Sequence, residues 1–276
     1  MNKKITVVIV TFNSSHLVKD MLDQLSSFDV VIFDNDSDDS QTLNKISLQH
    51  NNVTVILHKE NIGYGSAANL AIQQCGTPYV FLANPDISLS DAALDKLLGI
   101  TNKLSTNWLC IAPNTDIHLN TTETEEYSET SWASGSALLI NKENFNRLNG
   151  FDTNIFLFFE ETDLFYRAKQ AGQKIYRANQ VHVPHAVGQS VQHNEKLEFF
   201  KEKHFHWSKL YFHKKHRHWL TLASLLFKSL CVYPLKTRSA SNPSTDKKRK
   251  KISVYMARKE AAQLFIKGLQ PSNRYA

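Results

Sequence analysis

The chain has 276 residues, 42% hydrophobic and 21% charged, with a formal net charge of +6. That length and balance predict a globular protein with a full core, either one large domain with an appendage or two small ones, and exclude a disordered or fibrous chain. Three widely spaced cysteines, Cys75, Cys110 and Cys231, form neither a disulfide framework nor a metal-binding pair, which points to a reducing compartment.

The chain opens with "MNKKITVVIVTFN", two lysines running into a β-branched stretch without a small-residue cleavage site. It reads as a first strand rather than a signal peptide. A helical pattern follows from Ser15 to Ser26. "VVIFDN" precedes another near 39–49, "VTVIL" one near 65–75, and "YVFLAN" one from about 90. Strands alternating with helices predict an α/β fold, a mostly parallel sheet flanked by helices, with ligands at the carboxyl ends of the strands. Polar residues stand at those ends: Thr11 and Asn13, Asp34 and Asn35, Asn61, then Asn84 and Asp86. Any one of them suits a turn. Four successive strand ends carrying them predict a binding crevice.

Residues 101–130 read as polar, ending in "NTTETEEYSET", which has no periodicity and is predicted to be a loop. "SWASGSALLI" follows, its small residues before an apolar run suggesting a strand or turn close to a ligand. "FFEETDLFYRA" then sets Glu160, Glu161 and Asp163 among aromatics. Helical spacing continues to Gly172, and acids complement the dipole in the first turn of any helix. Asp163 and Arg167 also match an ordinary i,i+4 pair. Crowded carboxylates beside apolar surface nonetheless cost stability unless a cation, a helix start or a reaction uses them.

From about 195 the pattern is helical and basic. Residues 201–251 hold fourteen Lys or Arg against Glu202 and Asp246, a net of +12 that leaves −6 for the rest. The cations are interleaved with Phe199, Phe200, Phe205, Trp207, Tyr211, Phe212 and Trp219. The apolar run at 219–235 is interrupted by Lys228 and falls short of the roughly 20 residues of a membrane span. Cationic, aromatic and apolar elements together suit an anionic membrane surface better than nucleic acid. The expected organisation is a catalytic domain over 1–195 and a basic helical region over 196–276.

Taken in order, "VVIVTFN", "FDNDSDD", "NIGYGSAAN", "LANPD", "WASGSALLI", "NGFDTNIFLFFEETDLFYRAKQAG" and "HAVGQS" resemble the family 2 glycosyltransferases of the GT-A fold, in particular rhamnosyltransferases that build bacterial surface polysaccharide. The resemblance implies a nucleotide-sugar donor and a lipid-linked saccharide acceptor, and the region 201–251 is expected to hold the enzyme on the cytoplasmic face of the inner membrane, where such an acceptor would lie. It assigns Thr11, Asn13, Asp34 and Asn35 to the base and ribose, and Asn61, Gly63 and Asn69 to the loop and helix closing over the nucleotide. Asn84 and Asp86 fall on the metal motif, in an Asn-Pro-Asp form, with His185 of an H-x-x-G-x-S run (Gly188, Ser190) as a second ligand for Mg²⁺ or Mn²⁺. Nearby His182 serves as its comparison.

Inverting glycosyl transfer needs a base for the acceptor hydroxyl. The family's Glu-Asp motif reads Glu160-Glu161 here, so Glu161 falls where the base is expected. Asp163 is the alternative, and Glu160 would orient acceptor or loop groups. Trp132, Gly135 and Phe159 are assigned to the sugar or acceptor pocket. Two other classes compete. "GYGSAA" matches a dinucleotide fingerprint and would suit an NAD(P)-dependent oxidoreductase, although it follows the third strand rather than the first. A nucleotidyltransferase shares the crevice but needs a Gly-rich, cationic phosphate loop where this chain has "TFNSSH".

Overall fold

The computed structural model describes residues 4–115, 124–185, 195–238 and 246–273. They form two compact units, Met1–Thr153 with Glu160–Gln192, and Asn154–Phe159 with His193–Ala276.

The first unit is an eight-stranded sheet flanked by helices. Its first half alternates strand and helix: β1 (Ile5–Thr11), α1 (Ser15–Leu22), β2 (Asp29–Asn35), α2 (Ser40–Ser47), β3 (Val53–His58), α3 (Tyr64–Gln74), β4 (Tyr79–Ala83) and α4 (Asp91–Thr101). The second half adds β5 (Trp108–Asn114), β6 (Tyr127–Thr130), β7 (Ala137–Asn141), α5 (Lys142–Arg147), α6 (Glu160–Gln170) and β8 (Lys174–His182). The strand order is β3-β2-β1-β4-β7-β5-β8-β6. β1 to β4 pair parallel, as do β5 and β8, while β7 and β6 run antiparallel to their neighbours. The chain leaves β1 toward β2 on one side and returns to β4 on the other, so a crevice opens between the carboxyl ends of β1 and β4.

β1 is buried along its whole length, as expected of a strand covered by helices on both faces. Ile5, Val7 and Ile9 face a core with Leu22, Leu94 and Leu97, and Val8 and Val10 face a second core with Ala67, Ala71 and Leu164. Ser90 caps α4 by accepting from the Ala93 N–H.

Two parts of the 101–130 stretch differ from the loop expected there. Trp108–Asn114 is a fully buried interior strand, and Tyr127–Thr130 pairs antiparallel with β8 from Tyr127 opposite Ala178 to Thr130 opposite Ile175. A four-residue edge strand carries too little periodicity to read alone, because β8 supplies its ladder. Residues 116–123 lie outside the described residues.

In the second unit α7 (Glu195–Lys215), α8 (Trp219–Phe227), a π-helical stretch (Lys228–Val232), α9 (Tyr233–Arg238) and α10 (Asp246–Ile266) follow one another. Leu210, Leu222 and Ala262 form a small core, flanked by Leu225 and Phe265. His206 meets the Ser229 hydroxyl at 2.7 Å, and burial pushes its pKa down to about 3, so it packs as a neutral ring. Arg258 donates to Glu202 at 2.5 Å. Among the described residues no helix is long and apolar enough to cross a membrane.

Candidate active site

Sheet order sets the polar strand ends side by side, Asn61 after β3, Asp34 and Asn35 on β2, Thr11 and Asn13 at β1, and Asn84 and Asp86 after β4. Their side chains knit the loops together. Thr11 donates to Asp34 Oδ1 at 3.0 Å, and the Ser37 hydroxyl and N–H donate to the same carboxylate at 2.5 and 3.1 Å. Thr11 and Asp34 are buried by this, and both shape the crevice from beneath. Asn13, half-buried with φ 52°, accepts from the Asp38 N–H at 2.8 Å, while its own N–H donates to Ser37 at 2.8 Å. The left-handed backbone there suits asparagine. The Ser15 hydroxyl donates to Asp39 Oδ2 at 2.5 Å, a second tie between the same loops.

Asn35 donates to Asn61 Oδ1 at 2.9 Å and accepts from the Ile62 N–H at 3.0 Å, which joins the ends of β2 and β3. Asn61 Oδ1 also accepts from the Gly63 N–H at 3.1 Å, and Gly63 has φ 85°, a conformation that favours glycine. Asn69 works elsewhere. It donates to the Phe151 carbonyl at 2.8 Å and accepts from the Phe151 N–H at 2.9 Å, clamping α3 to the turn at 149–151.

After β4, Asp86 Oδ1 lies 2.9 Å from His185 Nε2 and both side chains are largely buried. An antiparallel bridge between Ile87 and His185 and a hydrogen bond from the Ser88 N–H to the Pro184 carbonyl at 2.8 Å hold the two segments together. The Asn84 N–H donates to the Ser136 carbonyl at 2.9 Å, which ties this corner to the loop before β7. His182, by contrast, is exposed at the end of β8. Gly188 and Ser190 lie outside the described residues.

Asp86 and His185, hydrogen-bonded to each other at 2.9 Å, bring one carboxylate oxygen and one imidazole nitrogen together, two donor types that divalent cations accept. No group of three or more such side chains stands ready for a metal among the described residues. The pair therefore fits a hard cation that takes its remaining ligands from phosphate and water.

The acidic cluster forms the first turn of α6. Its three carboxylates occupy different environments. Asp163 is fully buried and paired with Arg167 Nε at 2.7 Å, and Arg167 also donates to the Leu148 and Gly150 carbonyls at 2.5 and 2.7 Å. Glu160 is buried against Gly65, where an added Cβ would lie 3.1 Å from Glu160 Cγ and 3.0 Å from Phe151 Cβ. Gly65 of the "GYG" run thus allows α3 to lie close to Glu160 and Phe151. Glu161 is half-buried with its side chain against Gly135, and burial raises its pKa despite the opposing hydrogen bonds of its own and the Thr162 N–H.

Sequence reasoning passed over Tyr64. Its pKa is raised by burial and by the negative charges of Glu160, Glu161 and Asp86, so the hydroxyl keeps its proton; it points at the Gly135 carbonyl, 3.5 Å away. A tyrosine opening a helix reads as core, and only its place directly after the Gly63 turn marked it.

Trp132 is half-exposed in the loop leading to Gly135, held by backbone contacts with the Thr130 hydroxyl at 2.9 and 3.4 Å. Phe159 belongs to the helical unit, where its ring packs on Phe205 and Phe212 at 5.3 and 5.7 Å between centroids. Phe158 and Phe159 take φ of 65° and 72°, a strained pair directly before α6.

The family model described as "Glycosyl transferase family 2" matches residues 6–163. The chain belongs to this family. This glycosyltransferase is 24% identical to an N-acetylglucosaminyl-diphospho-decaprenol L-rhamnosyltransferase of Mycobacterium tuberculosis, in an alignment covering 75% of this chain and 87% of the relative. It is 25% identical to the rhamnosyltransferase WbbL of Escherichia coli K12, over 73% and 88%. Among solved structures it resembles the mannosyltransferase PcManGT of Pyrobaculum calidifontis, solved with GDP-Man and Mn²⁺, with a TM-score of 0.62 and 15% identity over 98% of this chain and 89% of that one. It also resembles TarS residues 1–349 of S. aureus, with a TM-score of 0.55 and 13% identity over 98% and 93%. The glycosyltransferase has the GT-A fold. Its "GYGSAA" run is a packing feature of α3 rather than an oxidoreductase fingerprint.

Proposed function

We propose that the enzyme is an inverting transferase that moves rhamnose from dTDP-rhamnose to a growing, lipid-linked saccharide during bacterial surface-polysaccharide synthesis. The observation that carries this reading is that the polar ends of β1–β4 stand beside the acidic turn of α6: the Asn84 N–H is bonded to Ser136, and the neighbouring Gly135 lies against the Glu161 side chain. The choice of rhamnose rests on the names of the two relatives, and the lipid carrier on the decaprenol in one of them.

Glu161 is the base. Its carboxylate accepts the proton of the acceptor hydroxyl as that oxygen bonds to the anomeric carbon, and the bond to the nucleoside diphosphate breaks with its electron pair on the leaving phosphate. Burial makes this carboxylate more basic than an ordinary glutamate. Asp163, sealed against Arg167, holds α6 in register, and Glu160 orients the acceptor side from beneath. Asn13, Asn35 and Asn61 frame the base and ribose, with Asp34 and Thr11 fixing their loops. Asp86 and His185 would hold Mg²⁺ or Mn²⁺, which when bound supplies electrostatic stabilisation to the departing diphosphate.

Purified enzyme screened against dTDP-, UDP- and GDP-sugars should release the nucleoside diphosphate fastest from dTDP-rhamnose. Pyrophosphate as the product would instead identify a nucleotidyltransferase, and faster turnover of a UDP or GDP sugar would reassign the donor.

The helical unit is proposed to hold the enzyme on the cytoplasmic face of the inner membrane. Phe200, Trp207 and Phe212 of α7 are buried in that unit, so the apolar surface available to lipid comes from Trp219, Leu220, Phe227 and Leu235, of which Leu220 is 91% exposed. Exposed Lys250 and Lys251 lie on α10. Each such cation near an anionic surface contributes about 1 kcal/mol. Liposome flotation should rise with anionic lipid, weaken without vanishing in high salt, and drop for Leu220→Glu with Phe227→Glu. Equal binding to neutral vesicles, or tighter salt-sensitive binding to nucleic acid, would overturn this placement.

A further inference from the structure

A cleft of about 620 Å³ lies on the first unit between one face of α3 and the segment around 145–153. Its size falls within the roughly 300–1,000 Å³ of small-ligand sites. Ser66, Leu70 and Gln73 line it from α3, at the spacing that puts them on one helical face, and Asn146, Asn149 and Thr153 face them. None of the residues lining it is charged. One end of the cleft is Ile62, whose N–H is bound by Asn35, so the cleft adjoins the ends of β2 and β3 and runs from there along the outer face of α3.

The lining chemistry selects a ligand class. Without a cation, the cleft has nothing to neutralise a phosphate or carboxylate. Its amides and hydroxyls each donate and accept, which matches hydroxyl groups that do both. Among the described residues the side chains of Gln73, Asn146 and Asn149 have no hydrogen-bond partner in the protein. Leu70, 39% exposed, and Ile62 add a small apolar patch suited to the C–H face of a sugar ring but too limited for an acyl chain.

We propose that this cleft is a subsite for an uncharged stretch of saccharide, the part of the acceptor that extends beyond the sugar receiving the transfer. The inference rests on the reading of the acceptor as a saccharide chain, and it adds a place where acceptor length is sensed. Asn69 and Gly150 fix the geometry of the wall, since a Cβ at Gly150 would come within 2.5 Å of Asn69 Oδ1.

The test uses saturation-transfer NMR on the full chain with uncharged tri- and tetrasaccharides of rhamnose, glucose, galactose and N-acetylglucosamine. Wild-type protein should saturate at least one of them. Gln73→Ala with Asn146→Ala should weaken that contact about five- to tenfold, the loss of two modest hydrogen bonds. Gln73→Trp, which fills the cleft from an exposed position, should abolish it. In turnover, the same variants should raise KM for a long acceptor while kcat, the KM of a single-sugar acceptor and donor hydrolysis stay unchanged. Absence of contact with every saccharide, contact that survives both variants, or an equal loss on short and long acceptors overturns the subsite. Failure of every nucleotide sugar to turn over would sink the functional reading while the NMR contact still reports on the cleft.

Discussion

Glu161→Gln is expected to lower kcat by about 10²–10⁴-fold, the usual contribution of a positioned general base, while the KM of the donor barely changes. The same substitution should leave the protein as stable as the wild type, or more so, at neutral pH. An unfolded glutamate titrates near about 4.3, and burial raises Glu161 above that in the folded state. Between the two values the folded protein binds more protons than the unfolded chain, so its stability falls as pH rises through that window, and above the window the whole penalty is present. Glutamine removes it. The thermal midpoints of the two proteins should therefore separate in favour of the variant at pH 7 and converge near pH 4. The acid limb of kcat/KM in the wild type should likewise lie above the ordinary carboxylate range. Asp163→Asn makes the opposite pattern, because it disrupts a buried pair with Arg167. Removing one partner of such a pair costs about 3–5 kcal/mol, so stability should drop while the folded fraction retains turnover. A silent but stable Asp163→Asn beside an active Glu161→Gln would transfer the role of base to Asp163.

The resemblance to the family named Glu161 as the base, but the difference in burial between Glu161 and Asp163 could not be drawn from three acids in one helical turn. Asp163 and Arg167 were visible as an i,i+4 pair, but only the fold buries the pair and lends Arg167 two further carbonyls. The alternation of β1 to α4 was legible because buried parallel strands are continuous β-branched runs that end abruptly in Asn, Asp or Thr. β5 and β6 were obscured by their polar surroundings: "WLCIAPN" sits between polar stretches, and "YSET" owes its strand to β8. The resemblance placed Asn69 in the helix closing over the nucleotide, and its amide is bonded to the backbone of Phe151, a partner 82 positions away. Phe159, assigned with Trp132 and Gly135 to the sugar pocket, packs its ring on Phe205 and Phe212, contacts about 50 positions away that no local pattern shows. Local pattern thus located the crevice, and long-range pairing decided which of its polar groups are structural.

Replacing Asp86 by asparagine is expected to uncouple the enzyme from divalent cations. The wild type should bind dTDP more tightly by calorimetry when Mg²⁺ or Mn²⁺ is present, and excess chelator should stop transfer until either ion is restored. Asp86→Asn keeps the size of the side chain and a group able to bond His185, so the thermal midpoint should change little. It loses the negative charge that a hard cation prefers. Its dTDP affinity should equal that of the chelated wild type with or without metal, and kcat should fall by about 10²–10³-fold, comparable to losing one preorganised electrostatic contact to a developing anion. His185→Ala should weaken the metal response in the same direction. Its backbone is held by the bridge to Ile87 and by the bond from Ser88 to Pro184, and its imidazole by Asp86 Oδ1 at 2.9 Å. Full transfer in excess chelator, together with dTDP binding indifferent to Mn²⁺ in the wild type, would show that Asp86 and His185 act as a structural latch between the end of β4 and the segment after β8. In that case Asp86→Asn should leave kcat unchanged, and charge on the leaving diphosphate would have to be met by groups other than this pair.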